Sequence, residues 1–221
     1  MNKISFTVEG RKTVVLVGQS GSGKSIVFKL LQRFINPNKR DIKINGQNTC
    51  NVMLSSLQDN IVIVPQSLDL PNKSIKEIVV YRLNTEANEI EEACKAACIY
   101  DWIMGFKTQY NTIVGEEGVK LLGSERQCIA IVRAIFKNPK ILFLDEATSA
   151  VDNLMEVLIC ESLKSQAEGQ IILIIAHHFN TIRDADDIII LEKGKVVERG
   201  SHTELLSRRG LYHNMWTSGE K

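Results

Sequence analysis

A chain of 221 residues, 44% hydrophobic and 24% charged, can bury a sizeable core as one large domain or two small ones. Its net charge of +1 gives no electrostatic case for nucleic acid or an anionic membrane surface. The five cysteines form neither a CxxC pair nor a disulfide framework, which argues against structural zinc and for reduced thiols in a cytosol-like compartment.

In chain order, Ile4, Phe6 and Val8 alternate with polar residues, the pattern of a half-buried strand. Val14-Val15-Leu16-Val17 reads as a buried strand. Gly18-Gln19-Ser20-Gly21-Ser22-Gly23-Lys24-Ser25 follows, and Ile26 opens a helix reaching about Phe34. Strand, glycine-rich turn and helix with this spacing form a P-loop, which binds nucleoside triphosphates. Glycines let backbone N–H groups approach phosphate oxygens, and the helix N-terminus adds donors and partial positive charge. Lys24 is expected to reach the β- and γ-phosphates, and the Ser25 hydroxyl to ligate Mg²⁺.

Ile42-Lys43-Ile44 before Asn45-Gly46 suggests a strand and a turn, and Ile61 to Val64 a buried strand closed by Pro65. From Ser67 to Lys137 the character changes. Apolar residues at 90, 93, 94 and 97 make a helical stripe, and Met104 to Gly123 is loop-rich. Ser124 has the chemistry of a helix cap, with Gln127 as its capping-box partner. Strands return at Ile141 to Leu144, Ile171 to Ile175 and Ile188 to Leu191, and a turn at Lys193-Gly194 leads to Val196-Val197. The expected architecture is an α/β P-loop core, about 1–66 and 138–221, interrupted by a helical insertion, about 67–137. Asp145 and Glu146 end an apolar strand. Asp145 is the candidate Mg²⁺ ligand, and Glu146 the candidate to orient and polarise the attacking water. No apolar run approaches the roughly 20 residues that span a bilayer, and the N-terminus has no signal-peptide pattern.

With these residues in view, nearly the whole chain resembles the ATPase domains of ABC transporters. Val64-Pro65-Gln66 resembles the Q-loop, Ala147 to Asp152 the D-loop, and Ile174-Ile175-Ala176-His177 the switch-histidine strand. Tyr110 to Gly118 resembles a loop of exporter-type members, and Glu198 to Leu206 their C-terminal pattern. Within the family the chain is most similar to mitochondrial-type half-transporters linked to iron–sulfur protein maturation. This rests on segments such as Ala96 to Ile103 and Gly210-Leu211-Tyr212 with Met215-Trp216.

The resemblance implies a P-loop NTPase core, a small antiparallel β subdomain and an inserted helical subdomain. It implies ATP and Mg²⁺ as ligands. Gln66 would sense Mg²⁺ and water and couple to the membrane domain. His177 would contact the γ-phosphate, and Asp152 would touch a second ATPase domain across a head-to-tail dimer. It also implies a transmembrane domain as partner, with this chain on the cytosol- or matrix-facing side of a membrane, one of mitochondrial type on the sub-family match.

The signature segment departs from the family pattern Leu-Ser-Gly-Gly. Here it reads Leu121-Leu122-Gly123-Ser124, so Leu122 lacks the hydroxyl expected to contact the partner's γ-phosphate, and Ser124 adds a Cβ in place of a glycine. The adenine-stacking aromatic and the membrane domain that precede this domain in exporters are not in the sequence, an arrangement expected of a fragment, a truncated product or a free subunit. An alternative function is a regulatory half of an asymmetric pair that binds ATP and hydrolyses it weakly. Soluble ABC-type ATPases of DNA repair or translation fit less well, because no long coiled-coil arm, tandem domain or basic face is visible.

Overall fold

A computed structural model describes residues 4–37, 41–66, 68–80, 87–116, 118–147, 151, 153–166, 169–176 and 179–219. The elements run β1 (Thr13–Val17), α1 (Lys24–Leu31), β2 (Lys43–Ile44), β3 (Gln47–Asn48), α2 (Leu54–Asn60), β4 (Ile61–Val64), β5 (Lys73–Ser74), α3 (Ile75–Val79), α4 (Ala87–Ala96) and α5 (Tyr100–Met104). They continue β6 (Ile113–Val114), α6 (Gly123–Lys137), β7 (Ile141–Asp145), α7 (Asn153–Gln166), β8 (Ile171–Ile175), α8 (Phe179–Arg183), β9 (Asp187–Glu192), β10 (Lys195–Gly200), α9 (His202–Ser207) and α10 (Leu211–Gly219). The chain divides into two compact units, Met1–Val62 with Lys140–Asp145 and Gly169–Lys221, and Ile63–Pro139 with Glu146–Glu168.

The first unit is built on a six-stranded sheet of order β10-β9-β1-β8-β7-β4, whose last strand continues into the second unit. β1 lies centrally, parallel to both β8 and β9, while β10 runs antiparallel to β9. A strand covered on both faces carries apolar residues without alternation, and β1 is buried along its whole length. The register sets Leu16 opposite Ile175, and Ile175 opposite Asp145. Parallel strands end on one sheet edge, so the end of β7 is level with the end of β1, two strand spacings or about 10 Å away. Phe28 of α1 stacks on Phe143 of β7 with ring centroids 4.7 Å apart, tying the first helix to the strand that carries Asp145.

In the second unit, α6 packs against α3 and α4, and α4 also meets α7. Ile90, Ala93, Cys94 and Ala97 are all buried, the stripe that the helical spacing predicts. The mixed α/β class and the mostly parallel central sheet follow the sequence expectation.

Local expectations needed correction. Ile4, Phe6 and Val8 keep the alternation of burial, but their segment forms no strand. It is tethered instead by Arg199, whose Nη2 donates to the Thr7 carbonyl at 2.8 Å. The first helix ends at Leu31 rather than near Phe34. Arg33 turns to φ 58°, and the Phe34 N–H returns to the Lys29 carbonyl at 2.9 Å, closing the last turn. Among the described residues, no helix is long and apolar enough to cross a membrane.

Candidate functional site

The phosphate-binding candidates lie in the first unit, where β1 gives way to α1. Gly18 must lack a side chain: a Cβ there would run into the Leu191 carbonyl and lie 2.7 Å from Ser22 Oγ. Gly23 sits at φ 108°, which L side chains rarely adopt, and it turns the chain into the helix. The Ser22 N–H donates to the Gln19 carbonyl at 3.1 Å. Gly194, from the β9–β10 turn, donates to the Ser22 carbonyl at 3.0 Å and braces the loop. Sequence reasoning read Lys193-Gly194 only as a turn, and nothing in its spacing announces this contact.

Lys24 is buried at the start of α1, and its ammonium donates to the Gly18 carbonyl at 2.6 Å and the Gln19 carbonyl at 3.2 Å. Its charge is therefore held inside the loop's own backbone ring. Ser22 Oγ is buried with no hydrogen-bond partner, a polar atom awaiting an acceptor or donor at the loop. Gln19, Ser20, Gly21 and Ser25 are exposed, with Ser25 on the first helical turn, whose N–H groups have no intrahelical acceptor. Asp145 is half-buried at the end of β7.

These residues fit a magnesium-bound nucleoside triphosphate. The orphaned Ser22 hydroxyl, the bare Gly18 and the enclosed Lys24 make a cradle for phosphate oxygens. The Ser25 hydroxyl and Asp145 carboxylate are hard oxygen donors of the kind Mg²⁺ takes. Among the described residues, no group of three or more His, Cys, Asp and Glu side chains could hold a metal ion. Mg²⁺ bound together with phosphates needs only one or two carboxylates.

The second unit holds a separate cluster. Gln66, just beyond β4, donates from Nε2 to Glu146 Oε2 at 2.7 Å. Glu146 adopts φ 51°, an uncommon backbone conformation for a residue with a side chain. Gln127 lies beneath the pair. It is 3% exposed, and its Nε2 lies 3.0 Å from the Gln66 carbonyl and 3.4 Å from the Glu146 carbonyl. The capping role expected of Gln127 is therefore not the one it fills. Helix α6 begins at Gly123 with Leu122 as its N-cap, and Glu125 accepts the Leu122 N–H at 2.6 Å. A signal was available in the sequence, because residues 127, 131 and 134 fall on one buried helical face and Gln127 is its polar member.

Leu122 is 67% exposed at the mouth of α6, with Gly123 and Ser124 half-buried behind it. Two candidates, Asp152 and His177, lie outside the described residues, as do Thr148 to Ala150 and Glu117 of the resembling loops.

A sequence profile of the ABC transporter family matches residues 1–149. The chain belongs to the ABC transporter family. Domains of this family bind ATP, typically with Mg²⁺. Among curated relatives, ABC transporter B family member 24, mitochondrial, of Arabidopsis thaliana is 42% identical over 98% of this chain and 32% of its own length. The mitochondrial iron-sulfur clusters transporter ABCB7 of Danio rerio is 44% identical over 99% of this chain and 30% of its own length. ATP-binding cassette sub-family B member 6 of Homo sapiens is 43% identical over 98% of this chain and 26% of its own. The chain thus spans about a third or less of the relatives it matches. A solved bacterial Atm1-family ABC exporter with ATP bound superposes with a TM-score of 0.94 at 41% identity, over 99% of this chain and 38% of that one. The exporter-type, mitochondrial-like resemblance read from the motifs is the one these comparisons return.

Proposed function

We propose that this ABC transporter chain is the ATP-binding and ATP-hydrolysing motor domain of an exporter. ATP binding closes it against a second ATPase domain, and hydrolysis reopens the pair to drive export. The observation that carries the reading is the 2.7 Å hydrogen bond between Gln66 and Glu146, which holds a carboxylate in a fixed orientation beside an amide.

The P-loop N–H groups and Lys24 bind and neutralise phosphate oxygens. Ser25, Asp145 and Gln66 are the residues that would hold Mg²⁺, and the ion would supply charge neutralisation at the phosphates. Glu146 accepts a hydrogen bond from the attacking water, orients it and draws on its proton, while Gln66 keeps the carboxylate turned toward it. The resemblance assigns His177 to the γ-phosphate and Asp152 to the partner domain. With mitochondrial transporters among its relatives, we place the chain on the matrix- or cytosol-facing side of a membrane, joined to a transmembrane domain.

A second reading is favoured by one feature. Leu122 stands exposed at the start of α6 with no hydroxyl to offer a partner's nucleotide. The chain then serves as the weaker half of an asymmetric pair, completing its partner's site poorly.

Titration calorimetry with MgATP and steady-state turnover test the main reading. Lys24→Ala is expected to abolish ATP binding. Glu146→Gln is expected to keep binding while turnover falls by roughly 10²–10⁴-fold, the usual contribution of a general base. Binding that survives Lys24→Ala unchanged, or wild-type turnover in Glu146→Gln, overturns it.

A further inference from the structure

We propose that Gln127 is a positioning residue for ATP hydrolysis, a buried clamp that fixes Gln66 and Glu146 to one another through their backbones. This rests on the assignment of Glu146 as the water-activating carboxylate. Three observations converge on it.

The first is burial. Gln127 is 3% exposed, yet it sits in a helix segment otherwise made of buried apolar side chains, from Cys128 to Val132. An amide is costly to bury unless it is hydrogen-bonded, so its presence there calls for specific acceptors. The second is the identity of those acceptors. One Nε2 serves two carbonyls, those of Gln66 and Glu146, the shorter bond being to Gln66. These same two residues are joined above it by their side chains. The amide thus closes a ring: Gln127 to the Gln66 backbone, the Gln66 side chain to the Glu146 carboxylate, and the Glu146 backbone to Gln127.

The third is the conformation being held. Glu146 occupies φ 51°, a strained conformation for a residue with a Cβ, which persists where surrounding contacts enforce it. The Glu146 carbonyl follows that unusual torsion directly. A donor bonded to this oxygen resists relaxation of the peptide toward ordinary extended or helical values. Relaxation would swing the carboxylate away from the Gln66 amide. Gln127 touches neither nucleotide nor water in this scheme and acts only through the two residues it holds. Because it is the fifth residue of α6, directly behind Leu122, Gly123 and Ser124, it also links the signature end of that helix to the hydrolytic pair.

The test is Gln127→Met, which conserves volume and removes the donor. Turnover of the 221-residue chain with MgATP is measured alongside ATP affinity and backbone hydrogen exchange. The expected result is a fall in kcat of about 10–100-fold, the scale of a misplaced catalytic group, with KM and ATP affinity within about threefold of wild type. Exchange should quicken in residues 63–66 and 143–147 and stay unchanged in 14–28. In a Glu146→Gln background, Gln127→Met should alter the residual rate by less than about twofold, because a residue acting through Glu146 has nothing left to position. Unchanged kcat, an equal loss of ATP affinity and kcat, exchange that rises throughout the chain, or full additivity with Glu146→Gln each overturns the proposal. If Gln127→Met does not fold, Gln127→Asn, an amide one methylene too short to reach both carbonyls, carries the same expectations. If wild type itself shows no turnover, the hydrolytic reading fails, and local exchange alone decides the clamp: unchanged exchange in 63–66 and 143–147 overturns it.

Discussion

At the scale of single residues, burial separates chemistry from packing. Cys94 and Cys128 are buried among helices, and burial pushes their thiols up to about 11 and about 12, so both stay protonated at neutral pH. The thiolate is the reactive form, and these side chains are packing groups. Cys50, by contrast, is exposed. Iodoacetamide at pH 7.5 should therefore modify Cys50 in the native chain and spare Cys94 and Cys128 until denaturant is added. Raising the pH to 9 should not change the order, since both buried thiols titrate higher still. Peptide mapping by mass spectrometry reads the result, and native labelling of Cys128 at the rate of Cys50 would contradict it. Lys24 and Ser25 stand where a motif with fixed spacing puts them, which is why they were legible in the sequence. For Gln127 the periodicity marks only a polar residue on a buried helical face; its partners are backbone carbonyls 61 and 19 residues distant, which leave no mark on composition or spacing.

Helix starts show how the elements are held and where one is weak. Ser74 and Ser201 open α3 and α9 with reciprocal capping boxes, pairing with Glu77 and Glu204. At α10 the Glu198 carboxylate accepts the N–H groups of Leu211 and Tyr212. Helix α2 has no such device. Met53 takes the N-cap torsions, φ −62° and ψ 136°, with an exposed side chain that makes no capping hydrogen bond. Met53→Asp should supply the missing acceptor and stabilise the chain by about 1 kcal/mol, read as a higher urea midpoint at unchanged m-value. A midpoint that stays put or falls would show that the exposed methionine is held by something other than its helix. The long buried strands were legible because an unbroken apolar run is hard to place anywhere but inside a sheet. Helix α2 was not, since its one buried residue, Leu57, leaves no stripe. The strand and turn read at Ile42 to Gly46 are β2 and the β2–β3 turn, whereas β3 and the β5–β6 pair are two residues deep, too short for alternation to register. The start of α6 was displaced because Ser124 has good capping chemistry, while the actual cap contact is made by the Glu125 side chain to the Leu122 N–H. At β10 a bulge between Val196 and Glu198 shifts the register, a feature no hydrophobic pattern announces.

At the scale of the whole molecule, the proposed motor depends on what this chain offers a second ATPase domain. The first unit carries the proposed phosphate cradle, and the second carries the Gln66–Glu146 pair proposed for hydrolysis. In the proposed dimer the contribution to a partner is the start of α6, where the family resemblance implies a serine hydroxyl and this chain has Leu122. A hydrogen bond to a charged phosphate is worth roughly 1.5–3 kcal/mol, so its loss from each composite site of a homodimer should slow turnover or closure on the order of 10–100-fold. Leu122→Ser with Ser124→Gly should recover that factor. The hydroxyl returns at the helix mouth, where N–H groups already favour an anion, and the added Cβ is removed. Two measurements locate the effect: turnover of the chain alone, and ATP-driven dimerisation by sedimentation in a Glu146→Gln background that holds the closed state. A gain in both supports a homodimer limited at its signature. In an asymmetric pair the wild-type chain should instead stay slow alone and be rescued by a partner whose own signature carries the serine, because that partner completes the site built on Lys24 and Glu146. A wild-type homodimer that turns over rapidly and gains nothing from the double substitution would mean that the α6 N–H groups bind phosphate well enough without the hydroxyl.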